Sequence, residues 1–189
     1  MDADMLTRLR TLSIPRHLLA TAAAFGAFQL AKAQLDASYA ASGYPVDYAT
    51  GQLSFSAERL EGYYAVMAQA GTLDVYLRTQ IIDFGFIASV MPLSALLGTL
   101  VSRVGGWARG LGLAAAVLGI AGAGFDVLEN LLSFVILAQP DQIAPPMALA
   151  YSSAAAVKFA LLTGAMGAVL LALAAGLIRG LRRGIGATA

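Results

Sequence analysis

Lys158 lies within YSSAAAVKFALLTGAMGAVLLALAAGLI, while Asp126, Glu129 and Asn130 interrupt a second apolar run, and Asp83 a third. An ionisable side chain in hydrocarbon costs about 2.5–3.5 kcal/mol or more, so a cation and several carboxylates in neighbouring spans are expected to pair inside a helix bundle. Two carboxylates held close suit proton transfer, because each raises the cost of ionising the other while a nearby ammonium holds one of them charged. In an enzyme, Asp126 and Glu129 would form the acid/base pair, Lys158 the electrostatic stabiliser, Asn130 an orienting donor and Asp83 a second base. Lys32, Arg78, Tyr76 and Tyr151 fall near the same level and, with Asn130, are candidate ligand contacts.

Helical phase favours this convergence. Asp126, Glu129 and Asn130 stand at i, i+3 and i+4, and their stripe continues through Gly122, Gly119 and Ala115, small residues that admit a neighbouring helix. In the last apolar run Ala156, Ala160, Gly164, Ala168, Ala172 and Gly176 recur every fourth residue, a ridge for close helix contact within one chain or between two copies. Lys158 sits beside that ridge. Tyr76, Thr79 and Asp83 share one face of their segment, whereas Asp74 and Arg78 make an i, i+4 pair on another.

The elements that must position these groups follow from composition. The chain has 189 residues, 59% of them hydrophobic and 12% charged, against roughly 25% charged in a soluble domain. The reading is an all-α, integral membrane four-helix bundle in one domain, with spans at about 14–36, 75–101, 110–137 and 149–178. Pro15 suits a first helical turn, SRVGGWARG makes a turn between the second and third spans, and AQPDQIAPPMA breaks the third from the fourth. Met91-Pro92 predicts a kink below Asp83.

Basic residues set the expected orientation. Arg8, Arg10, Arg16, Arg103, Arg109, Arg179, Arg182 and Arg183 flank one side, so both termini are expected in the cytoplasm of a bacterial-type inner membrane. The segment 37–74 is then extracytoplasmic, with an amphipathic helix near Ser56–Ala70 lying on the membrane or lidding the bundle. The seven tyrosines fall at that side, as an interfacial belt would. A competing reading makes the first span a signal peptide cleaved after Ala33 of Ala31-Lys32-Ala33.

Other chemistry is excluded or unsupported. With no cysteine and only His17, thiol chemistry, bis-histidine haem ligation and multi-histidine zinc sites are ruled out within one chain, and no cofactor or metal is expected. A net charge of +1 spread along membrane edges offers nucleic acid no basic patch. Four uses of the charged cluster stay open: binding a lipid-like ligand, transforming one, relaying protons or ions, and fixing helix register as a structural ion network. Membrane lipids are the expected partners, and the ridge offers a face for a homo-oligomer. No motif is specific enough to name a family.

Overall fold

The computed structural model describes residues 3–186, with side chains for 4–179, and among them contains helices and no strand. Helix α1 spans Ala3–Thr11, α2 Ile14–Ser42, α3 Tyr48–Gln52, α4 Ala57–Ala70, α5 Leu73–Val101, α6 Trp107–Leu137 and α7 Pro145–Gly186, with a 3₁₀ turn at Ser102–Val104 between α5 and α6. Arg182 and Arg183 lie outside the described side chains.

Three of these helices are long and apolar enough to cross a membrane: Leu73–Val104, Trp107–Leu137 and Pro145–Arg179. Their polar side chains turn inward, while Leu128, Leu131, Val135, Leu170 and Leu171 point out. That inversion of the soluble pattern marks a membrane protein. Helix α2 is as long as α5, at 29 residues each, but Gln29, Lys32, Gln34 and Asp36 interrupt its second half. By composition it falls short of the other three. It also outruns the expected end at residue 36, because Ala-Ser-Tyr-Ala-Ala-Ser continues the helix until Gly43 takes the left-handed conformation at φ 65°.

The packing order follows the chain. Helix α2 packs on α5, α5 on α6, and α6 on α7, but α2 and α7 are not packed against each other. The bundle is therefore open on one side, a cleft walled by α2 and α7 and floored by α5 and α6. Helix α5 runs through Pro92 as one helix.

Close approach along α6 depends on its small face. Gly112, Ala115, Gly119, Gly122 and Ala123 are buried, and Gly122 sits under Leu161 and Leu162 of α7. On α7, Ala168, Ala172 and Ala175 are buried against Val101, Val104 and Leu111. The part of the ridge left exposed is Ala160 and Gly164.

One end of the bundle is capped. Ser56 accepts a hydrogen bond from the Arg59 amide at the start of α4, and Leu60, Tyr64 and Met67 bury themselves on Tyr76, Ile136, Ile143, Ala148 and Tyr151. Of the two places expected for this helix, it therefore occupies the lid. Glu61 fastens it by accepting from the Ile143 amide at 2.8 Å. Tyr76 and Tyr151 are 2% and 0% exposed, and the rings of Tyr39, Tyr44, Tyr48, Tyr63, Tyr64 and Tyr76 contact one another, with Tyr39 stacked on Tyr48 and other pairs tilted. Tyr64, Tyr76 and Tyr151 belong to the buried core of the cap, and the half-buried Tyr39, Tyr44 and Tyr63 pack against it.

The opposite end is pinned by polar side chains. His17, fully buried, places Nε2 2.9 Å from the Leu96 carbonyl oxygen and 3.2 Å from Thr99 Oγ1, tying α2 to α5. Arg103 donates to the Arg10 carbonyl at 2.7 Å and to that of Leu12, which holds the α1–α2 turn.

Candidate functional site

The charged residues of three helices meet as one cluster. Lys158 reaches from α7 to α6, donating to Asp126 Oδ1 at 3.0 Å and to Glu129 Oε2. Its third proton goes to Gln52 Oε1 at 3.0 Å. An ammonium has three donors, so Lys158 is fully committed. From α5, Asp83 Oδ2 accepts from Asn130 Nδ2 of α6 at 2.8 Å. Lys158, Asp126, Glu129, Asn130 and Asp83 are all buried.

Gln52 was not foreseen. It is carried by α3, a five-residue helix inside the long connection, which Asp47 caps by accepting from the Thr50 amide at 3.0 Å and the Thr50 hydroxyl at 2.7 Å. These bonds from Thr50 hold the Asp47 carboxyl below its ordinary range. The sign follows: a carboxylate with a lowered folded-state pKa stabilises the fold above its unfolded pKa, and the contribution is lost as pH falls through the folded value. The protection factor of the Thr50 amide, its exchange rate relative to the intrinsic rate at the same pH, should therefore fall on acidification into and below the usual carboxylate range, and Asp47→Ala should show that lower protection already at neutral pH. Unchanged exchange in Asp47→Ala would mean that the cap does not hold α3.

A cavity of about 260 Å³ opens on this cluster. Asp83, Asp126, Lys158 and Gln52 form its polar wall, Lys32, Asp36 and Tyr48 its rim, and Leu35, Phe86, Phe159 and Leu162 its apolar wall. Asp126 and Asp83 thus face the same space. Glu129, 0% exposed and absent from this lining, sits behind Lys158. Asp83 and Asp126 are the two buried carboxylates that border the cavity, while Asp126 and Glu129, the pair expected for acid/base work, share Lys158.

Behind Glu129 lies the tyrosine cap. The second carboxylate oxygen of Glu129, Oε1, and the hydroxyl of Tyr151 are buried without a hydrogen-bond partner. Tyr64 is held above the ordinary phenol range by burial and then by the Glu129 charge, which keeps it a donor. Tyr76 and Tyr151 belong to this layer and do not line the cavity. Arg78 stands apart: its 3.2 Å pair with Asp74 is an exposed i, i+4 bridge. Lys32 pairs with Asp36 one turn along α2, half exposed at the cavity rim.

A second cavity of about 290 Å³ continues along the bundle, lined by apolar residues from Phe25 and Phe28 of α2 to Met166 and Val169 of α7. Phe86 and Leu162 wall both cavities. The charged cavity and the apolar groove are therefore neighbours along the bundle, with Phe86 and Leu162 bordering each. Among the described residues no group of three or more His, Cys, Asp or Glu side chains is arranged to hold a metal. Comparison with known proteins supplies no relative: no family model, no curated protein and no solved structure matches the chain.

Proposed function

We propose that this protein binds a lipid-like ligand in the cleft between α2 and α7, with the polar group at Asp83 and Asp126 and an apolar tail in the groove running toward Val169. The observation that carries this reading is the adjacency of a charged cavity and an apolar one along the bundle, both bordered by Phe86 and Leu162. Amphiphiles have that polarity profile. From Phe86 to Gly98 the groove follows twelve residues of α5, about 18 Å at 1.5 Å per residue. Because α2 does not close on α7, a ligand reaches the cleft sideways from the bilayer.

In this reading α2 is a fourth span, and Arg8, Arg10, Arg16, Arg103, Arg109 and Arg179 mark the cytoplasmic end. The capped end, with Asp47, Glu58, Glu61 and Asp74, is extracytoplasmic. A proton or ion route is less well supported: past Asp126 the cleft is lined almost wholly by apolar side chains, with Ser94 the exception.

Native mass spectrometry of the gently solubilised protein tests the proposal. One amphiphile per chain is expected on the wild type and should be lost from Ala165→Phe, which fills the groove without touching the charged cluster. An adduct of the same mass and occupancy on both proteins would show that the groove does not hold it.

A further inference from the structure

The head-group chemistry can be narrowed by asking which donors and acceptors around the charged cavity are still uncommitted. Lys158 has spent all three protons on Gln52, Asp126 and Glu129, so it offers nothing to an anion. Lys32 gives one proton to Asp36 at the half-exposed rim, away from the buried Asp83 and Asp126. By contrast Asp83 and Asp126 each use one carboxylate oxygen, Asp83 for Asn130 and Asp126 for Lys158, and both line the cavity. The cavity therefore presents accepting oxygens where it is deepest.

Charge points the same way. Asp36, Asp83, Asp126 and Glu129 are four carboxylates against the two ammonium groups of Lys32 and Lys158, an excess of two negative charges when all are ionised. Asp83 has no cation within ion-pair distance; its partner is the neutral amide of Asn130. A phosphate or carboxylate head seated at the buried end would add like charge beside Asp83 and Asp126 in a medium of low dielectric, where the one ammonium, Lys158, is already committed. A cationic head would supply the missing counter-charge and donate to both free oxygens.

Resting on the lipid-binding reading, we infer that the ligand is a single-chain amphiphile with a protonated amine as its head and no phosphate, the ammonium seated between Asp83 and Asp126 and the chain lying past Phe86 and Leu162. Asp83 is the specificity residue, because Asp126 already has a cation.

Three probes with one chain length test this: n-tetradecylamine, n-tetradecanol and n-tetradecyl phosphate, titrated into the purified protein in neutral detergent at about pH 7, where an alkyl amine is protonated. The wild type should bind the amine about tenfold or more tighter than the alcohol, the scale of one charge-assisted hydrogen bond, and the phosphate most weakly. In Asp83→Asn the amine should fall to the level of the alcohol, whereas Asp74→Asn, at the exposed pair, should keep the preference. Reading the amine-to-alcohol ratio within each variant separates recognition of charge from weakened folding, which would lower both affinities together. Equal binding of amine and alcohol by the wild type, or tightest binding of the phosphate, would overturn the amine assignment and leave the lipid site standing; a preference that survives Asp83→Asn would overturn Asp83 as the specificity residue. Failure of all three probes on the wild type would overturn the lipid-binding reading as well.

Discussion

Lys158→Met is expected to destabilise the protein by about 3–5 kcal/mol, the usual cost of leaving buried charges without their counter-ion. Methionine is close in length and apolar, so the helix and its packing tolerate it. What changes is that Asp126, Glu129 and Asp83 then face one another without the ammonium between the first two. Adding Glu129→Gln and Asp126→Asn to Lys158→Met should recover much of the loss, because a neutral hydrogen-bonded set replaces an unbalanced one. Lys32→Met, breaking a half-exposed i, i+4 pair, should cost at most about 0.5 kcal/mol. Thermal or detergent-induced unfolding of the purified variants reads all three. A Lys158→Met protein as stable as the wild type would mean that the ammonium does not hold the cluster together.

The convergence of Asp83, Asp126, Glu129, Asn130 and Lys158 was legible in the sequence for two physical reasons. Charges inside apolar runs need partners, and counting at about 1.5 Å per residue places these at one depth. Which carboxylate faces the cavity was not legible. Asp126 and Glu129 are three residues apart, about 60° around a helix of 3.6 residues per turn, so both read as one face; the rotation of α6 against α7 decides that Asp126 borders open space and Glu129 the cap.

Gln52 escaped for a different reason. A five-residue helix in a connection has no hydrophobic period, and its place over Lys158 depends on contacts distant in sequence, such as Tyr48 donating to the Leu35 carbonyl at 3.1 Å. Tyrosine itself is ambiguous at this end of a membrane protein, since it suits both an interfacial belt and a ring-packed core. The burial of Leu60, Tyr64 and Met67 resolves that ambiguity for Tyr76 and Tyr151.

The floor of the cleft carries the second large expected effect. A Cβ placed on Gly98 would lie 2.6 Å from the backbone nitrogen of Ala116 and 2.6 Å from the carbonyl oxygen of Gly112, and one on Gly112 would meet the Gly98 carbonyl at 2.6 Å. Both contacts are backbone against backbone, so no side chain can swing away and α5 must separate from α6. Gly98→Ala and Gly112→Ala are each expected to cost at least the upper part of the about 1–3 kcal/mol typical of overpacking. Gly110→Ala and Gly124→Ala, where a Cβ would meet nothing within 4 Å, should be neutral or stabilising by up to about 1 kcal/mol, since alanine is the better helix former. The opposite signs are read in one set of unfolding curves. Gly98 also lines the apolar groove beside Ala115 and Gly119, so displacing α5 there changes the shape of the tail site as well as the stability of the bundle. Gly98→Ala should therefore weaken retention of the bound amphiphile under conditions where the variant is still folded, and Gly110→Ala should not. Equal retention by both would separate helix packing from ligand binding and place the tail elsewhere on the protein.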